Sequence, residues 1–418
     1  LQMMYFAYLA LGIAFLYLLW YVRYKTQETG RLVKFFLFSV LALLLSVFIG
    51  FVQYFPALDY IRHFSPRGVG GKTYEYAISW SLPPVDLISA FFAKFSGFLD
   101  SYWGNNPFKI NSEYIGALPL PFAIWAIMKN WKHPHVKFFS ILSLVYLLIA
   151  LGGYTPFYRL VYYLLPGVKN FRASAMTFYV AAFSINVLAA YGLNGIDKKN
   201  VGDFTKFALI FALSVIFIAL FTLLFKGSLS GIASPDKLDA FRKYYNQVPL
   251  AFLRTGVFVL LALGLITLFA REKPVSELTF SFGMALILIV DLWSIHSVFI
   301  KTLPPPSEYY APDQVVNFLK NDRGVFRVLP LFYRIDDDYL MVHHIESAGG
   351  HHPFPPQSYI EYVGTGGSVM FRPNSIRNLV THRKLVDLLN AKYIVTQPIP
   401  EDLSSYSREI QDMLRPIV

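Results

Sequence analysis

Residues 278–300 read LTFSFGMALILIVDLWSIHSVFI, and a lysine at position 301 ends the run. The hydrocarbon core of a bilayer, about 30 Å thick, needs about 20 apolar residues in a helix. The stretch therefore predicts a membrane-spanning helix, whereas the chain after Lys301 reads as a water-soluble sequence. Seven earlier stretches are of the same kind. The eight predicted spans are residues 3–22, 35–55, 114–131, 137–152, 172–195, 205–226, 248–270 and 278–300.

Composition and charge agree with a polytopic α-helical membrane protein. Hydrophobic residues make up 55% of the chain, and the formal net charge is +11. Lys and Arg occupy 12 of the 39 residues in one alternate set of connections, but 6 of the 41 residues in the other. Positive charge marks the cytoplasmic side, so the basic excess is a topology signal and we expect no nucleic-acid partner. The basic set is 23–34, 129–137, 196–206 and 271–277, and the other set is 153–172 and 227–247.

This topology places the long connection 56–113 and the tail on the outer face. We predict a transmembrane helical domain over residues 1–300, with 56–113 as its outward loop, and a small extracytoplasmic α/β domain over 301–418. The sequence begins and ends abruptly, so we expect a fragment that lacks upstream spans and part of the tail domain. Within the outward loop, apolar residues at helical spacing predict a helix over 86–99.

Ionisable groups near the edge of a bilayer are costly and often functional, and most of those in this chain fall on the predicted outer side. Each also has a structural explanation. Asp59 and Arg62 suit a surface pair on a helix, Glu113 suits a helix N-terminus, and Arg172 suits contact with lipid headgroups. Asp291, inside the last span, suits either a functional role or an ion pair between helices.

Metal binding is the less favoured interpretation of the tail. Its Asp and His residues are of the types that hold zinc, but their spacing matches no strong motif, so solvated loop residues are favoured. The residues are Asp336, Asp337, Asp338, His343, His344, His351 and His352. The chain has no cysteine, which excludes disulfides and thiolate metal sites. We assign no cofactor and no metal ligand, and leave open whether a divalent metal is needed.

A family resemblance rests on seven short stretches, which are distributed in order over most of the chain, from residue 67 to residue 396. They are Arg67-Gly68, Ser79-Trp80-Ser81-Leu82-Pro83-Pro84, Tyr102-Trp103-Gly104, Glu113-Tyr114-Ile115-Gly116, Phe171-Arg172-Ala173-Ser174, Gly349-Gly350-His351-His352-Pro353 and Leu388-Leu389-Asn390-Ala391-Lys392-Tyr393-Ile394-Val395-Thr396. In these stretches the chain resembles the bacterial YfhO family of membrane proteins, which are related to the GT-C class of glycosyltransferases.

The resemblance implies a transferase that takes a sugar from a polyprenyl-phosphate carrier and passes it to an envelope glycan, teichoic acid, lipid or protein. It implies an enzyme of the bacterial cytoplasmic membrane that acts on the outer face. Enzymes of this class carry a key acidic residue in their first outward loop. Family members have several spans before the point where this sequence begins, so we expect the principal catalytic Asp to lie upstream.

The chemistry of such a transfer suggests roles for the residues at hand. A carboxylate must take the proton of the acceptor, fixed cations must stabilise the departing phosphate, and aromatic rings can stack on sugar or isoprenoid. The structural alternative for the aromatic residues is an interfacial belt. The predicted catalytic residues are Glu113 and Asp59, as supporting acids or sugar ligands, and the predicted substrate-binding residues are Arg62, Arg67, Arg172, Trp80, Tyr102 and Trp103.

Two other functions remain alternatives. A non-catalytic envelope scaffold or degenerate transferase comes second, and it predicts no deep outward cavity beneath the 56–113 loop. A transporter of lipid-linked sugars comes third, since it needs ionisable groups near the bilayer midplane and paired broken helices. In this sequence the polar groups cluster at one face, with Asn186 as the main mid-span exception.

Overall fold

The computed structural model describes residues 2–26, 29–64, 73–106, 112–270, 276–331, 339–349, 356–363 and 383–396. The helices are α1 (Gln2–Thr26), α2 (Thr29–Phe64), α3 (Tyr74–Ile78), α4 (Pro84–Ser89), α5 (Pro119–Asn130), α6 (Pro134–Leu151), α7 (Phe157–Leu164), α8 (Phe178–Asn194), α9 (Val201–Leu224), α10 (Leu238–Tyr244), α11 (Gln247–Phe269), α12 (Glu277–His296), α13 (Pro306–Tyr309), α14 (Gln314–Asn321), α15 (Tyr339–Val342), α16 (Gln357–Val363) and α17 (Arg383–Leu388). The strands are β1 (Arg327–Leu331) and β2 (Ala391–Thr396).

Seven helical segments in the described part of the chain are long and apolar enough to cross a bilayer. They are Tyr5–Lys25, Val33–Phe64, Pro134–Tyr154, Ser174–Asn194, Val201–Leu224, Gln247–Phe269 and Glu277–Phe299. The chain is therefore a helical membrane protein, as its sequence predicts. The prediction of an eighth spanning helix over 114–131 is wrong. Helix α5 has 12 residues, and at about 1.5 Å per residue it extends about 18 Å, short of the core thickness of about 30 Å.

The chain before α5 is irregular for local reasons. Gly116 has φ +112°, outside the helical region, and proline at position 119 opens the helix, which is where proline is tolerated. Irregular backbone at membrane depth is tolerated where protein covers it. Tyr114, Ala117 and Leu118 are all buried, so this stretch is covered.

The predicted helix over 86–99 is also wrong in its extent. Helix α4 ends at Ser89, and the chain then makes a series of turns. Lys94 has φ +65° and Gly97 has φ +70°, and residues in this left-handed region cannot continue a right-handed helix. These turns, and not one helix face, bury Phe95 and Phe98, while Ile88 and Leu99 stay exposed.

The chain folds as two compact units, residues 1–39 with 72–301, and residues 40–71 with 302–418. Helix α2 contributes to both units. The predicted domain boundary near residue 300 stays a prediction.

In the first unit, the long helices pack side by side. Helices α5 and α6 both pack on α8, and α11 packs on α9 and α12. The connections at one end of these helices are long and partly helical, and we call them the connecting layer. The connecting layer comprises residues 73–106, 112–118, 152–177 and 225–246.

Backbone hydrogen bonds join the segments of the connecting layer to one another. Ala173 N–H donates to the carbonyl of Ser79 at 2.8 Å, and Ile115 N–H donates to the carbonyl of Ala90 at 3.0 Å. At the opposite end of the helices, Lys129 pairs with Asp203 at 3.1 Å. The basic connections around 129–137 and 196–206 therefore share one end, opposite the layer. Which side of the membrane each end faces stays a prediction.

In the second unit, β1 and β2 form a parallel pair, with Val328 opposite Tyr393. Their buried side chains pack with those of α14 and α15, and the cluster is Val316, Leu319, Val328, Tyr339, Leu340, Ile345 and Val395. The Lys392 ammonium hydrogen-bonds to Asp322, which also accepts from Gly324 N–H and the Tyr393 hydroxyl, and these contacts lower the pKa of Asp322 to about 2. This carboxylate ties the end of α14 to β2.

Candidate functional site

A fully buried carboxylate, Asp86, organises the middle of the connecting layer. Its Oδ1 accepts a hydrogen bond from Ser96 Oγ at 2.7 Å, and its Oδ2 accepts one from the Tyr102 hydroxyl at 2.9 Å. Ser96 is itself held by Ser89, whose Oγ accepts the Ser96 N–H at 2.8 Å. Because a buried carboxylate is costly unless it is hydrogen-bonded, these donors stabilise it and fix the turns between α4 and Tyr102.

Tyr102, which donates a hydrogen bond to Asp86, also lies in electrostatic range of a second acid, Glu113. The Tyr102 hydroxyl accepts the N–H of Asn106 at 2.7 Å. Burial and the carboxylate of Asp86 raise the pKa of Tyr102 above its ordinary range, and the carboxylate of Glu113 acts in the same direction. Tyr102 is thus a neutral hydrogen-bond donor, and Glu113 lies within electrostatic range of it. Glu113 is half-buried, whereas Asp86 is 0% exposed, so Glu113 keeps access to a ligand.

A cation stacked on an aromatic ring forms another part of the layer. The guanidinium carbon of Arg172 lies 3.8 Å from the centroid of the Trp80 ring and 5.7 Å from that of Tyr76. Arginine favours such stacking because its guanidinium is planar and weakly hydrated. Trp80 has φ 62°, a left-handed conformation that is uncommon outside glycine and persists where its surroundings impose it.

Two serines fix the turns beside this stacked pair. Ser81 Oγ accepts the N–H of Gly153 at 2.9 Å and a hydrogen bond from Ser174 Oγ at 3.3 Å. Gly152 has φ +50°, and a Cβ there would lie 2.1 Å from Ser81 Oγ and 2.3 Å from Ser174 Oγ. Glycine is therefore the residue that fits where the end of α6 meets the two turns.

The stacked pair and the buried acid belong to one continuous region. Tyr154 follows the glycine turn and lies in electrostatic range of the Asp86 carboxylate. Four predicted site residues, Trp80, Tyr102, Glu113 and Arg172, thus lie in the connecting layer, where Arg172 stacks on Trp80 and Glu113 lies in electrostatic range of Tyr102. We call these four residues the candidate site.

Asp291 organises a second buried polar cluster, at the end of α12 that meets the layer. Its Oδ1 lies 2.9 Å from Arg254 Nη2 and accepts the Tyr114 hydroxyl at 2.7 Å, and its Oδ2 accepts the N–H of Ala117 at 2.8 Å. Arg254 also donates to Ser294 Oγ at 2.6 Å. The ion pair between helices, which is one of the two interpretations of Asp291 in the sequence, is present, and the carboxylate also accepts a backbone N–H of the irregular stretch before α5.

The predicted site residues near the end of α2 belong to the second unit. Asp59 pairs with His63 at 3.7 Å, one helical turn away, and both side chains are exposed. Arg62 lies on the same turn of helix. Arg67 lies outside the described residues. Whether these three contribute to substrate binding or catalysis stays a prediction.

Trp103 lies in the core of the first unit. Its side chain is 1% exposed, and its ring centroid lies 5.7 Å from that of Phe95 and 4.9 Å from that of Phe241. The ring therefore presents no open face to a ligand, and Tyr102 beside it is also buried. Of the three predicted stacking residues, Trp80 is the one that is half-buried.

In the part of the chain that the structure describes, no three His, Asp or Glu side chains come together as metal ligands. Most of the tail cluster, from Asp336 to Asp338 and at His351 and His352, lies outside the described residues. A cavity of about 630 Å³ lies at the end of the helices opposite the connecting layer, between the last turns of α8 and α11 and the first turns of α12. None of the predicted site residues lines this cavity.

Three residues of these clusters were not predicted as site residues from the sequence. Asp86 reads as an ordinary acid in the first turn of a helix, Lys94 as the polar face of that helix, and Tyr114 as part of an apolar span. Their spacing carries no signal, because their partners lie up to 177 residues away. The left-handed backbone of Lys94 is a feature of the structure that the sequence does not indicate.

No family model matches this chain, and neither the curated proteins nor the solved structures include one that is significantly similar to it.

Proposed function

We propose that this chain is a GT-C-like glycosyltransferase that moves a sugar from a polyprenyl-phosphate carrier to a cell-envelope glycan, lipid or protein. It would act at the outer face of the bacterial cytoplasmic membrane, with the connecting layer and the tail outside. The resemblance to the YfhO family motivates the proposal. Two observations support it best: a half-buried acid, Glu113, lies in electrostatic range of the neutral hydroxyl of Tyr102, and the guanidinium of Arg172 is stacked on Trp80 elsewhere in the same connecting layer.

In this proposal the acceptor oxygen attacks the anomeric carbon of the sugar while the bond from that carbon to the phosphate oxygen breaks. Among the residues of this chain, Glu113 takes the proton that the acceptor hydroxyl loses, as a general base must, in support of the principal catalytic Asp that the resemblance implies upstream. Arg172 faces the negative charge that builds on the departing polyprenyl phosphate. Its stacking on Trp80 at 3.8 Å orients the guanidinium before the substrate arrives. Tyr102 positions the acid region through its bond to Asp86.

The proposal is tested by replacing the base without changing its shape. Glu113→Gln in the whole chain should lower the rate of sugar transfer by about 10²–10⁴-fold, the usual contribution of general base catalysis. The assay measures release of undecaprenyl phosphate from a panel of undecaprenyl-phosphate hexoses and N-acetylhexosamines in proteoliposomes with envelope extract as acceptor. Glu75→Gln is the matched control, since Glu75 is exposed on α3 and should leave the rate unchanged.

The outcomes distinguish the role of Glu113 as the base from the transferase activity of the whole chain. Full activity in Glu113→Gln would remove Glu113 as the base while leaving a transferase. Failure of the unmodified chain to release undecaprenyl phosphate from every donor would contradict the transferase itself.

A non-catalytic envelope scaffold is the second candidate, and one observation favours it. The two fully buried carboxylates of the described first unit, Asp86 and Asp291, both accept hydrogen bonds at both oxygens. Carboxylates held in this way stabilise the fold and are closed to a substrate. Under this alternative the layer is a rigid platform, and Glu113→Gln changes no chemical activity.

A further inference from the structure

Lys94 is a half-buried cation in an unusual position. It has φ +65°. This left-handed conformation costs a lysine free energy and persists where its surroundings impose it. Within the described ranges, the contact of its Nζ is with the Phe98 ring, 5.1 Å from the centroid, and no carboxylate lies within ion-pair distance of it. Burial lowers the pKa of Lys94, and the nearby guanidinium of Arg254 lowers it further.

Contacts of neighbouring residues hold Lys94 next to Arg254. Thr255 Oγ1, beside Arg254 on α11, hydrogen-bonds to the carbonyl of Phe91 at 3.3 Å. The residues flanking Lys94 pack with the polar cluster around Asp291, and the shared apolar contacts are Ala93, Phe98, Tyr114 and Ile295. Lys94 in the connecting layer and Arg254 near the start of α11 thus occupy the same corner of the first unit.

The charges in this corner do not balance. Arg254 is compensated by Asp291, whose Oδ1 lies 2.9 Å from its Nη2. Lys94 adds a second positive charge, and no second acid accompanies it in the described structure. Two like charges in a partly desolvated place repel each other, and an unpaired buried charge is expensive. An anion bound between them would relieve both costs.

The surroundings favour an anion that carries a hydrocarbon chain. Arg254 is 25% exposed, and the helix faces that continue from it away from the layer carry exposed apolar side chains, each more than 40% exposed. These are Val257 and Leu261 on α11, and Leu286, Val290 and Trp293 on α12. In a membrane-spanning helix such faces contact lipid, and an exposed tryptophan is typical of the headgroup level.

We propose that Lys94 and Arg254 form a binding site for the phosphate group of a membrane lipid, whose chains lie against the exposed apolar faces of α11 and α12. The site uses none of the four residues of the candidate site, and it stands whether or not the chain transfers sugars. The phosphate oxygens accept hydrogen bonds from the Lys94 ammonium and from the exposed edge of the Arg254 guanidinium.

The site is tested by titrating the whole chain in dodecyl maltoside micelles with dioleoyl phosphatidic acid, with bound lipid counted by native mass spectrometry. The unmodified chain should bind one equivalent of phosphatidic acid more tightly than any further equivalents. Lys94→Asn should weaken binding about tenfold, the effect of losing one charge-assisted hydrogen bond, because asparagine tolerates the left-handed conformation but lacks the charge. Lys94→Arg should bind within about twofold of the unmodified chain, since it keeps the charge.

Two matched arms complete the test. Lys226→Asn removes an exposed lysine whose Nζ also lies near a ring, 5.4 Å from the Tyr245 centroid, and should leave lipid binding unchanged. Sodium phosphate should displace the lipid weakly, because it lacks the chains. Equal lipid binding by Lys94→Asn and the unmodified chain would overturn the site. Sodium phosphate that binds as tightly as the lipid would overturn its assignment to a lipid. Lys94→Gly, which also suits φ +65°, replaces Lys94→Asn if the latter does not fold.

Discussion

The side chain of Asp291 joins two other segments of the first unit to its own helix, α12. One carboxylate accepts from Arg254 on α11, from the hydroxyl of Tyr114 and from the backbone N–H of Ala117. Because the chain before α5 is irregular, the N–H of Ala117 makes no hydrogen bond within a helix, and the Asp291 carboxylate accepts it instead. A buried ion pair adds little net stability while it is intact, but removing one partner leaves the other charge uncompensated.

Asp291→Asn should therefore destabilise the protein by about 3–5 kcal/mol. The amide has the shape of the carboxylate but leaves the Arg254 guanidinium, which is 25% exposed, without a counter-charge. The measurement is thermal unfolding in detergent micelles. Asp203→Asn is the control, because its pair with Lys129 is exposed on both sides and should be worth about 0–1 kcal/mol. Equal melting temperatures for the two variants would show that the Asp291 pair is not a structural requirement.

Sequence alone goes part of the way at this scale. An acid in the middle of an apolar run is conspicuous, so Asp291 can be recognised as important. Partners cannot be recognised, because Arg254 and Tyr114 lie 37 and 177 residues from Asp291. For the same reason the sequence gives no warning that Trp103 is enclosed by Phe241.

Among the elements, the long apolar runs were predicted well even where they contain glycine, and the run over 114–131, with Gly116 at φ +112° and a proline at 119, was not. The six spans other than 3–22 and 114–131 overlap described helices of at least 17 residues, and 3–22 lies within α1. Hydropathy counts apolar residues but does not register the turn at Gly116 or the proline at 119. Helical spacing over 86–99 fails likewise, because Lys94 and Gly97 are left-handed.

The packing of α5 on α8 depends on one glycine. A Cβ at Gly192 would lie 2.0 Å from the carbonyl oxygen of Phe122, so the two backbones approach as closely as small residues allow in membrane helices. Gly192→Ala should force the helices apart and destabilise the protein by about 1–3 kcal/mol.

Gly264 offers the matched control for this prediction. It lies within α11, and a Cβ there would meet nothing within 4 Å. Gly264→Ala should leave the melting temperature in detergent micelles unchanged or raise it, since alanine is favoured over glycine in a helix interior by about 1 kcal/mol. If both substitutions have the same effect, helix propensity and not the contact with Phe122 accounts for Gly192.

At the scale of the whole molecule, the structure separates two sets of connections by end. The connecting layer lies at the start of α5, α8 and α11, and the basic connections 129–137 and 196–206 lie at the opposite end of these helices. Lys and Arg number 12 in the 39 residues of the basic set of connections and 6 in the 41 residues of the other set. The positive-inside rule then predicts that the layer faces out.

Single cysteines test this orientation, and the chain is suited to them because it has none of its own. Asp100→Cys and Asp236→Cys place a thiol at exposed positions of the layer, and Lys132→Cys and Lys198→Cys place one at exposed positions of the opposite end. A membrane-impermeant maleimide applied to intact bacterial cells should label the first pair, and should label the second pair after the cells are permeabilised.

The same experiment decides where the proposed chemistry takes place. The transfer from a polyprenyl phosphate on the outer face requires the candidate site to be reached from outside, and the site lies in the layer with Asp100. A cysteine at exposed Lys320, in the tail, should be labelled in intact cells together with the layer pair. Labelling of the Lys132 and Lys198 positions in intact cells, with none at Asp100 and Asp236, would invert the topology and place the acid, the tyrosine and the stacked arginine on the cytoplasmic side. An outward-facing transferase would then be ruled out, because its candidate base would be separated from its substrates by the bilayer.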